Sequence, residues 1–329
     1  MKKILAILAG AFLSAPAFAQ LMTDGTVQIV AYWDKGDVMN YQSVERDERT
    51  DEEGKTTLIK SNSEVVVITV AEKTDSTYTI LRDDKDGFYS DTRVQSYMDI
   101  VNSLGKTSPI KLITDNMGSL QRIDNMDVLI KETKAMIPKL VDALIKQSPK
   151  EMRKELDRKG MIDALLSTTA TPEAITNACK QDISELLAYH GARLDTNRVY
   201  SGTTEMSLGV GDPVPAEIEF WVDSAETDAT FAVLRSHTYV SMENLKPLLK
   251  EIAIKTVTSM AKDVSESDVA DAFKGDLTGS FDEYTVLVVH LASGWPVQYG
   301  YEKDVVINKD GKTTQSTVTR TLDLITENN

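Results

Sequence analysis

Hydrophobic and polar positions change their period several times along this chain of 329 residues. In Val27-Gln28-Ile29-Val30-Ala31-Tyr32-Trp33 apolar and mixed residues alternate with the period of two that predicts a strand. Further strands are expected over Asp37 to Arg46, Thr56 to Ser61, Ser63 to Glu72 and Thr77 to Leu81, with Gly- and Asp-rich breaks between them. The β-branched run Val65 to Val70 reads as buried on both faces. Ile110 to Ile113 and Leu120 to Ile123 flank Asp115-Asn116-Met117-Gly118, a turn signal.

At Asp124 the period becomes helical. Met126, Leu129, Ile130, Met136, Ile137, Leu140, Val141 and Leu144 fall mostly three and four residues apart, an amphipathic helix that Pro138 should kink or split. Ser148-Pro149-Lys150-Glu151 predicts a second start, with Ser as cap, Pro at the first helical position and Glu reaching back. Thr171-Pro172-Glu173 predicts a third, ended by Gly191. Strands are expected again over Arg198 to Ser207, Ala216 to Val222 and Thr230 to Val240. A helix follows from about Ser241 to Met260, and a short one from Ser267 to Phe273. Tyr284 to Leu291, Gln298 to Ile307 and Thr313 to Ile325 close the chain as strands, the last two joined by a hairpin at Asn308-Lys309-Asp310-Gly311.

The pattern predicts an α+β fold of mainly antiparallel sheets, with a curved or half-barrel sheet as one form it admits. A helical block at about 124–190 and a second helical section at about 241–274 pack against it. The parts are a leader at 1–19, a β-rich part at 20–123, a helical section at 124–195 and a β-rich part at 196–329. Residues 20–329 form one domain or two. Glu53-Gly54-Lys55-Thr56-Thr57 echoes Asp310-Gly311-Lys312-Thr313-Thr314, which raises two related halves. Turns converge on Gly and polar residues, so the echo is weak.

Residues 1–19 read as a cleavable signal peptide: Lys2 and Lys3, a short apolar run from Ile4 to Leu13, then Ala17-Phe18-Ala19 before Gln20. The run is too short to span a bilayer, and Pro16 breaks it. Cleavage after Ala19 predicts a chain in the periplasm, on the outer-membrane surface or in the medium, and no Cys stands at the cleavage point for lipidation. Loss of the two lysines takes the formal charge from −15 to −17. Such a balance argues against nucleic acid and anionic lipid surfaces as partners. Cys179 is the single cysteine, so no internal disulfide forms.

Candidate chemistry is thin. The Gly-Lys-Thr triplets at 54–56 and 311–313 lack a phosphate loop's earlier glycine; Arg49 and Val306 stand there, and strands follow. Asp83-Asp84-Lys85-Asp86-Gly87 resembles a calcium loop, but Arg82 and Arg93 fall at the first and closing ligands, so a turn between strands is the better reading. His190, His237 and His290 lie far apart, without zinc-ligand spacing. A helix-capping role suffices for His190, and a core or edge position for His290. Cys179 falls on an apolar helix face and reads as inert. No nucleophile elbow occurs. With 51 acidic residues, no carboxylate pair for glycoside hydrolysis can be singled out. No catalytic residue, metal site or cofactor is assigned.

The aromatics say more. Alternation over Ala216 to Val222 puts Trp221 on a face shared with Glu217 and Glu219. Trp295 lies in the loop Ser293-Gly294-Trp295-Pro296, near Tyr299 and Tyr301. Trp221, Trp295 and Tyr299 are thus the candidate contacts for a ligand or partner, weighed against Trp295 simply covering the end of a β core.

A leader ending Ala17-Phe18-Ala19-Gln20, the early Lys35-Gly36-Asp37, Gly209-Val210-Gly211-Asp212 before a strand, and the late Ser293-Gly294-Trp295-Pro296 occur together. In these short motifs the chain resembles uncharacterised secreted proteins of the domain-of-unknown-function type frequent in Bacteroidota. The resemblance implies export and carries over no activity and no functional residue. The expectation is an exported, acidic, non-enzymatic protein that binds a ligand, apolar or lipid-like, or an envelope partner. The alternatives are an assembly protein using Trp-bearing surfaces and a carboxylate- or metal-dependent hydrolase.

Overall fold

The computed structural model describes residues 21–326, apart from 106–107, 155, 177–182, 184–185, 207–213, 242, 248–276 and 310. The leader, Cys179, Gly209 to Asp212 and most of the second helical section lie outside the described residues; residues 243–247 are helical.

Thirteen strands are described: β1 Thr26–Gln28, β2 Val38–Thr50, β3 Thr56–Lys73, β4 Thr77–Tyr89, β5 Ile110–Asp115, β6 Leu120–Ile123, β7 Arg193–Asp195, β8 Val199–Met206, β9 Val214–Val222, β10 Phe231–Val240, β11 Leu277–His290, β12 Pro296–Lys309 and β13 Lys312–Leu324. Eleven of them form one antiparallel sheet in the order β6-β5-β4-β3-β2-β13-β12-β11-β10-β9-β8, and β1 pairs with β7 separately. The fold is α+β, mainly antiparallel, and the sheet is not closed into a barrel: β6 and β8 are its two edges.

Both expected hairpin signals work as turns. Gly118 takes φ +95° between β5 and β6, and Gly311 takes φ +80° between β12 and β13, a conformation open to glycine at little cost. At the β2–β3 turn the Asp51 carboxylate accepts bonds from the amides of Glu53 and Lys55. Pairing of β13 with β2 brings the two echoing hairpin ends together, and Lys312 Nζ meets Glu52 Oε2 at 2.6 Å. The chain runs from the sheet's centre to one edge in its first half, and from the other edge to the centre in its second. The halves therefore do not repeat one strand order.

Several expectations need correction. The strand over Val27 to Trp33 stops at Gln28; beyond it the chain is an extended strap whose amides at Ile29, Ala31 and Tyr32 bond the carbonyls of Ala192, Met117 and Ser293 in three separate loops. Its alternation is real, since Ile29, Ala31 and Trp33 are buried, but its partners are turns. The two strands expected over Thr56 to Glu72 are one, because the polar stretch at Ser61 to Ser63 continues the ladder. Asp83 to Gly87 lie within β4 and make no turn.

A helix, α1 Thr92–Ser103, interrupts the region read as all strand. Next, α2 Met126–Gln147 runs unbroken through Pro138 and buries Leu129, Ile137, Leu140 and Val141. Ser148 ends this helix instead of starting another: its amide donates to Leu144 and Ile145 carbonyls, and its hydroxyl to Leu144. A single 3-10 turn, Met152–Lys154, leads to α3 Arg158–Thr169. The Thr171 cap holds, its Oγ1 accepting from the Ala174 amide at 3.1 Å, and the chain is helical from 172.

Ladder register fixes which residues share a face. Tyr41 pairs with Val66, Ile80 with Val70 and with Leu112, and Leu287 with Tyr299 and Leu234. These residues form one buried cluster with Trp33, Trp295, Ile183, Leu186 and Leu187. A strap and helical segments thus cover one sheet face, called the core face below.

Candidate functional site

Sheet, strap and helices converge on four rings. Trp33 stacks on Trp295 with centroids 4.5 Å apart, and lies 5.2 Å from Tyr78 and 5.4 Å from His190. The arrangement depends on Gly294, whose φ is +72° and where a Cβ would fall 2.1 Å from the Val30 carbonyl oxygen. His190 Nε2 meets the freed Gly294 carbonyl oxygen at 2.8 Å, and Tyr78 donates to Ala31 O at 3.1 Å. His190 is 5 % exposed and therefore a core residue whose ring ties two loops, where helix capping was expected. Burial pushes its imidazole down to about 4. His290 is buried, with Nδ1 2.9 Å from Ser293 Oγ.

The candidate contact residues do not converge. Trp295 is 2 % exposed, and Tyr299 is equally buried on the core face, so neither offers an open surface. The loop bearing Trp295 lies beneath the strap, which a local sequence window does not reveal. Trp221 does lie on the outer face with Glu217 and Glu219, half-buried, directly across from Arg235 on β10 and Val199 on β8. On the same outer face His237 Nε2 donates to the Asp282 carboxylate at 2.8 Å, and the ring stacks on Tyr284, which is 42 % exposed. Trp221 therefore shares the outer face with Arg235 and with the His237–Tyr284 stack, though it sits in an acidic stretch of sequence.

A cavity of about 350 Å³ opens elsewhere, where the β5–β6 edge of the sheet meets the helical block. Leu112 and its ladder partner Ile123 form its sheet side, with Leu120 beside them. Met126 at the start of α2 and Thr176 on the helical stretch from 172 form the other wall. Leu129 and Ile175 pack behind with Ile110 and Ile130, so the wall continues into a small apolar core. Arg122 lines the mouth, its head 3.0 Å from Asp124, and Lys111 Nζ meets the same carboxylate at 2.9 Å. Hydrogen bonds from Lys111 and Arg122 lower the Asp124 carboxyl below its ordinary range. The result is an apolar recess with Gln121 and one cation, Arg122, among its lining residues. Leu112, Leu120, Ile123 and Met126 were read from sequence only as strand and helix positions; their shared signal was an apolar hairpin leading straight into an amphipathic helix.

Among the described residues no group of three or more His, Cys, Asp or Glu is placed to hold a metal ion. None of the described helices is long and apolar enough to cross a membrane, which says nothing of a β-barrel. No family model matches the chain, and no curated protein matches it.

Proposed function

We propose that this chain is an exported, non-enzymatic binding protein that holds an apolar, lipid-like ligand between its sheet and its helical block. The observation that carries the reading is the apolar cavity of about 350 Å³ at Leu112, Ile123 and Met126, within the size range of small-molecule sites. A solid core between sheet and helices would have left such a ligand no room. Arg122 among the lining residues suits an amphiphile with an acidic head.

A trough-like, half-barrel sheet supports the same reading. The adjacent amides of Ala31 and Tyr32 bond Met117 O and Ser293 O at 2.9 and 3.0 Å. Those carbonyls are therefore within roughly 10 Å of each other, given Cα spacings of about 3.8 Å. They belong to turns beside β5 and β12, five ladder steps apart, or about 24 Å along a flat sheet. A curled sheet reconciles the two distances. Among the described residues β6 and β8 are the two edges of this sheet, and the helical stretch lies between them in sequence.

The test is saturable binding of a fluorescent fatty acid, together with native mass spectrometry of protein purified from its own envelope. Ile123→Trp, which fills the recess from a half-buried position, is expected to weaken binding by about tenfold or more while circular dichroism stays unchanged. Equal binding by this variant, or none by the wild type, overturns the reading.

An assembly role remains as a second reading, favoured by the outer-face group of Trp221, His237, Tyr239 and exposed Tyr284. Under it, Trp221→Ala strips a bound envelope protein in pull-downs; unchanged recovery of every partner removes the case.

A further inference from the structure

Charge is unevenly spread along this chain. Residues 146–159 carry six cations and three acids, a net +3, which leaves −18 for the rest of a chain of −15. They form the tip of a helical hairpin, between the end of α2 at Gln147 and the start of α3 at Arg158. The two helices pack side by side through Ile137, Val141, Ile145, Met161 and Leu165, in a cluster whose described members all come from the helical block. Leu129, toward the other end of α2, is where that helix meets Ile110 and Ile123 of the sheet edge. From Leu129 to Gln147 is about 27 Å of helix at 1.5 Å per residue. Salt screens exposed charges beyond about 8 Å under physiological conditions. The whole-chain balance that disfavours anionic partners therefore does not govern this tip.

All six cations are exposed. Two of them are occupied within the hairpin. Arg158 pairs with Asp142 at 2.6 Å, while Arg153 Nε donates to the Ser148 carbonyl at 2.8 Å and its Nη2 to the Lys146 carbonyl. These bonds fasten the connecting turn to the end of α2 and the start of α3 to its flank. Among the described residues no carboxylate pairs with Lys146, Lys150, Lys154 or Lys159, whereas Lys60, Lys73 and Lys312 elsewhere each hold one. Of the tip's acids, Asp157 lies back over the first turn of α3: a Cβ on Gly160 would fall 2.5 Å from its Oδ2. There it faces the positive end of that helix.

Composition decides what such a patch suits. Protein interfaces are depleted in lysine and enriched in aromatic residues and arginine. The tip has these four lysines, no aromatic residue, and arginines already bonded to its own chain. Freely turning point charges make no shaped site, but they match a diffuse layer of phosphate head groups, and each adds to the attraction. We propose that the tip of the α2–α3 hairpin docks this protein on an anionic phospholipid surface. Met126, at the opposite end of α2, lines the apolar recess, so the two sites are separate. The docking does not rest on the proposed lipid-like ligand.

Co-sedimentation of the mature chain with vesicles tests it, at about 0.1 M salt. Vesicles of phosphatidylcholine alone are compared with vesicles containing roughly one third phosphatidylglycerol. The protein is expected to sediment with the anionic vesicles and not the neutral ones, and to be released at about 0.5 M salt. Replacing four lysines together, Lys146→Gln, Lys150→Gln, Lys154→Gln and Lys159→Gln, should weaken binding by about tenfold or more. The same change of charge at Lys35, Lys55, Lys85 and Lys246, exposed lysines outside the tip, should leave binding close to wild type. Both variants alter exposed side chains, so their circular dichroism should match wild type. Equal binding to neutral vesicles, wild-type binding by the tip variant, or equal losses in the two variants overturns the proposal. Absence of sedimentation with anionic vesicles overturns it as well, and a duplex DNA fragment bound in their stead at the same salt would assign the patch to nucleic acid.

Discussion

His190 shows how one buried side chain ties stability to pH. Its ring lies beside Trp33 and bonds the Gly294 carbonyl, and burial holds its pKa at about 4, against 6.5 for an ordinary imidazole. Between those values the unfolded chain binds a proton that the native chain does not. The contribution is therefore complete above pH 6.5 and is lost as pH falls toward 4. At about 1.4 kcal/mol per unit, the loss is on the order of 3 kcal/mol. Burial shifts His290 the same way, with the same sign. Asp24, Asp124, Glu132 and Asp142 are lowered carboxylates and lose their contributions at more acid pH. Burial raises the Glu302 carboxyl, a contribution of opposite sign, so the histidine is isolated by comparing urea unfolding at pH 7 and pH 5 in wild type and in His190→Gln. Wild type is expected to lose stability between the two, and His190→Gln, which retains a donor for Gly294, to lose distinctly less. An equal loss in both proteins would show that the titrating group lies elsewhere.

Among the elements, α2 carries an obvious local fault in Pro138, which has no amide for the Lys134 carbonyl yet sits inside an unbroken helix. Ile137, Leu140 and Val141 beside it are buried, so packing outweighs the missing bond. Pro138→Ala should raise stability by about 1–2 kcal/mol, less than the full interior-proline penalty because alanine also frees the unfolded chain. A urea midpoint that falls instead would mean that the proline's bend is needed to seat Ile137 and Val141. The helix was legible from its period, as were the hairpins at Asp115 to Gly118 and Asn308 to Gly311, because their signals are local. The helix α1 was also written in the chain, with Val94, Tyr97, Met98 and Val101 at helical spacing, but among its described side chains only Ile100 is well buried, so its apolar stripe is weak beside the neighbouring strands. The Ile29 to Trp33 strap shows the limit: alternation revealed which side chains are buried, while its bonding partners lie in loops around 117, 192 and 293. The apolar recess joins a local hairpin, Leu112 with Ile123 and Met126, to Thr176 much further along the chain, and only that last partner lies outside a window of sequence.

For the whole molecule, the decisive pairing joins the chain's beginning to its end. β2 and β13 lie side by side at the middle of the sheet, over a register from Tyr41–Leu324 to Thr50–Gln315. Tyr41 also donates to the Pro296 carbonyl at 2.8 Å, and Trp33 stacks on Trp295. The main buried cluster takes residues from β3, β4 and β5 on one side of this seam and from β9, β10 and β11 on the other. Neither half can keep its apolar face covered if the seam opens. Trp33 and Trp295 report on the seam, while far-UV circular dichroism reports on the whole sheet. Their urea transitions are expected to coincide, as one cooperative unit requires. A tryptophan transition that precedes loss of the strand signal would show that the halves hold together on their own. Deleting Lys312 to Leu324 exposes β2 and β12 as new edges in the centre of the sheet, where unpaired strands template aggregation. That truncation should fail to give a folded monomer by size-exclusion chromatography. Ile123→Trp, at the sheet's β6 edge, leaves the seam intact and should elute as wild type; if the truncated chain does the same, the seam is not what unites the fold.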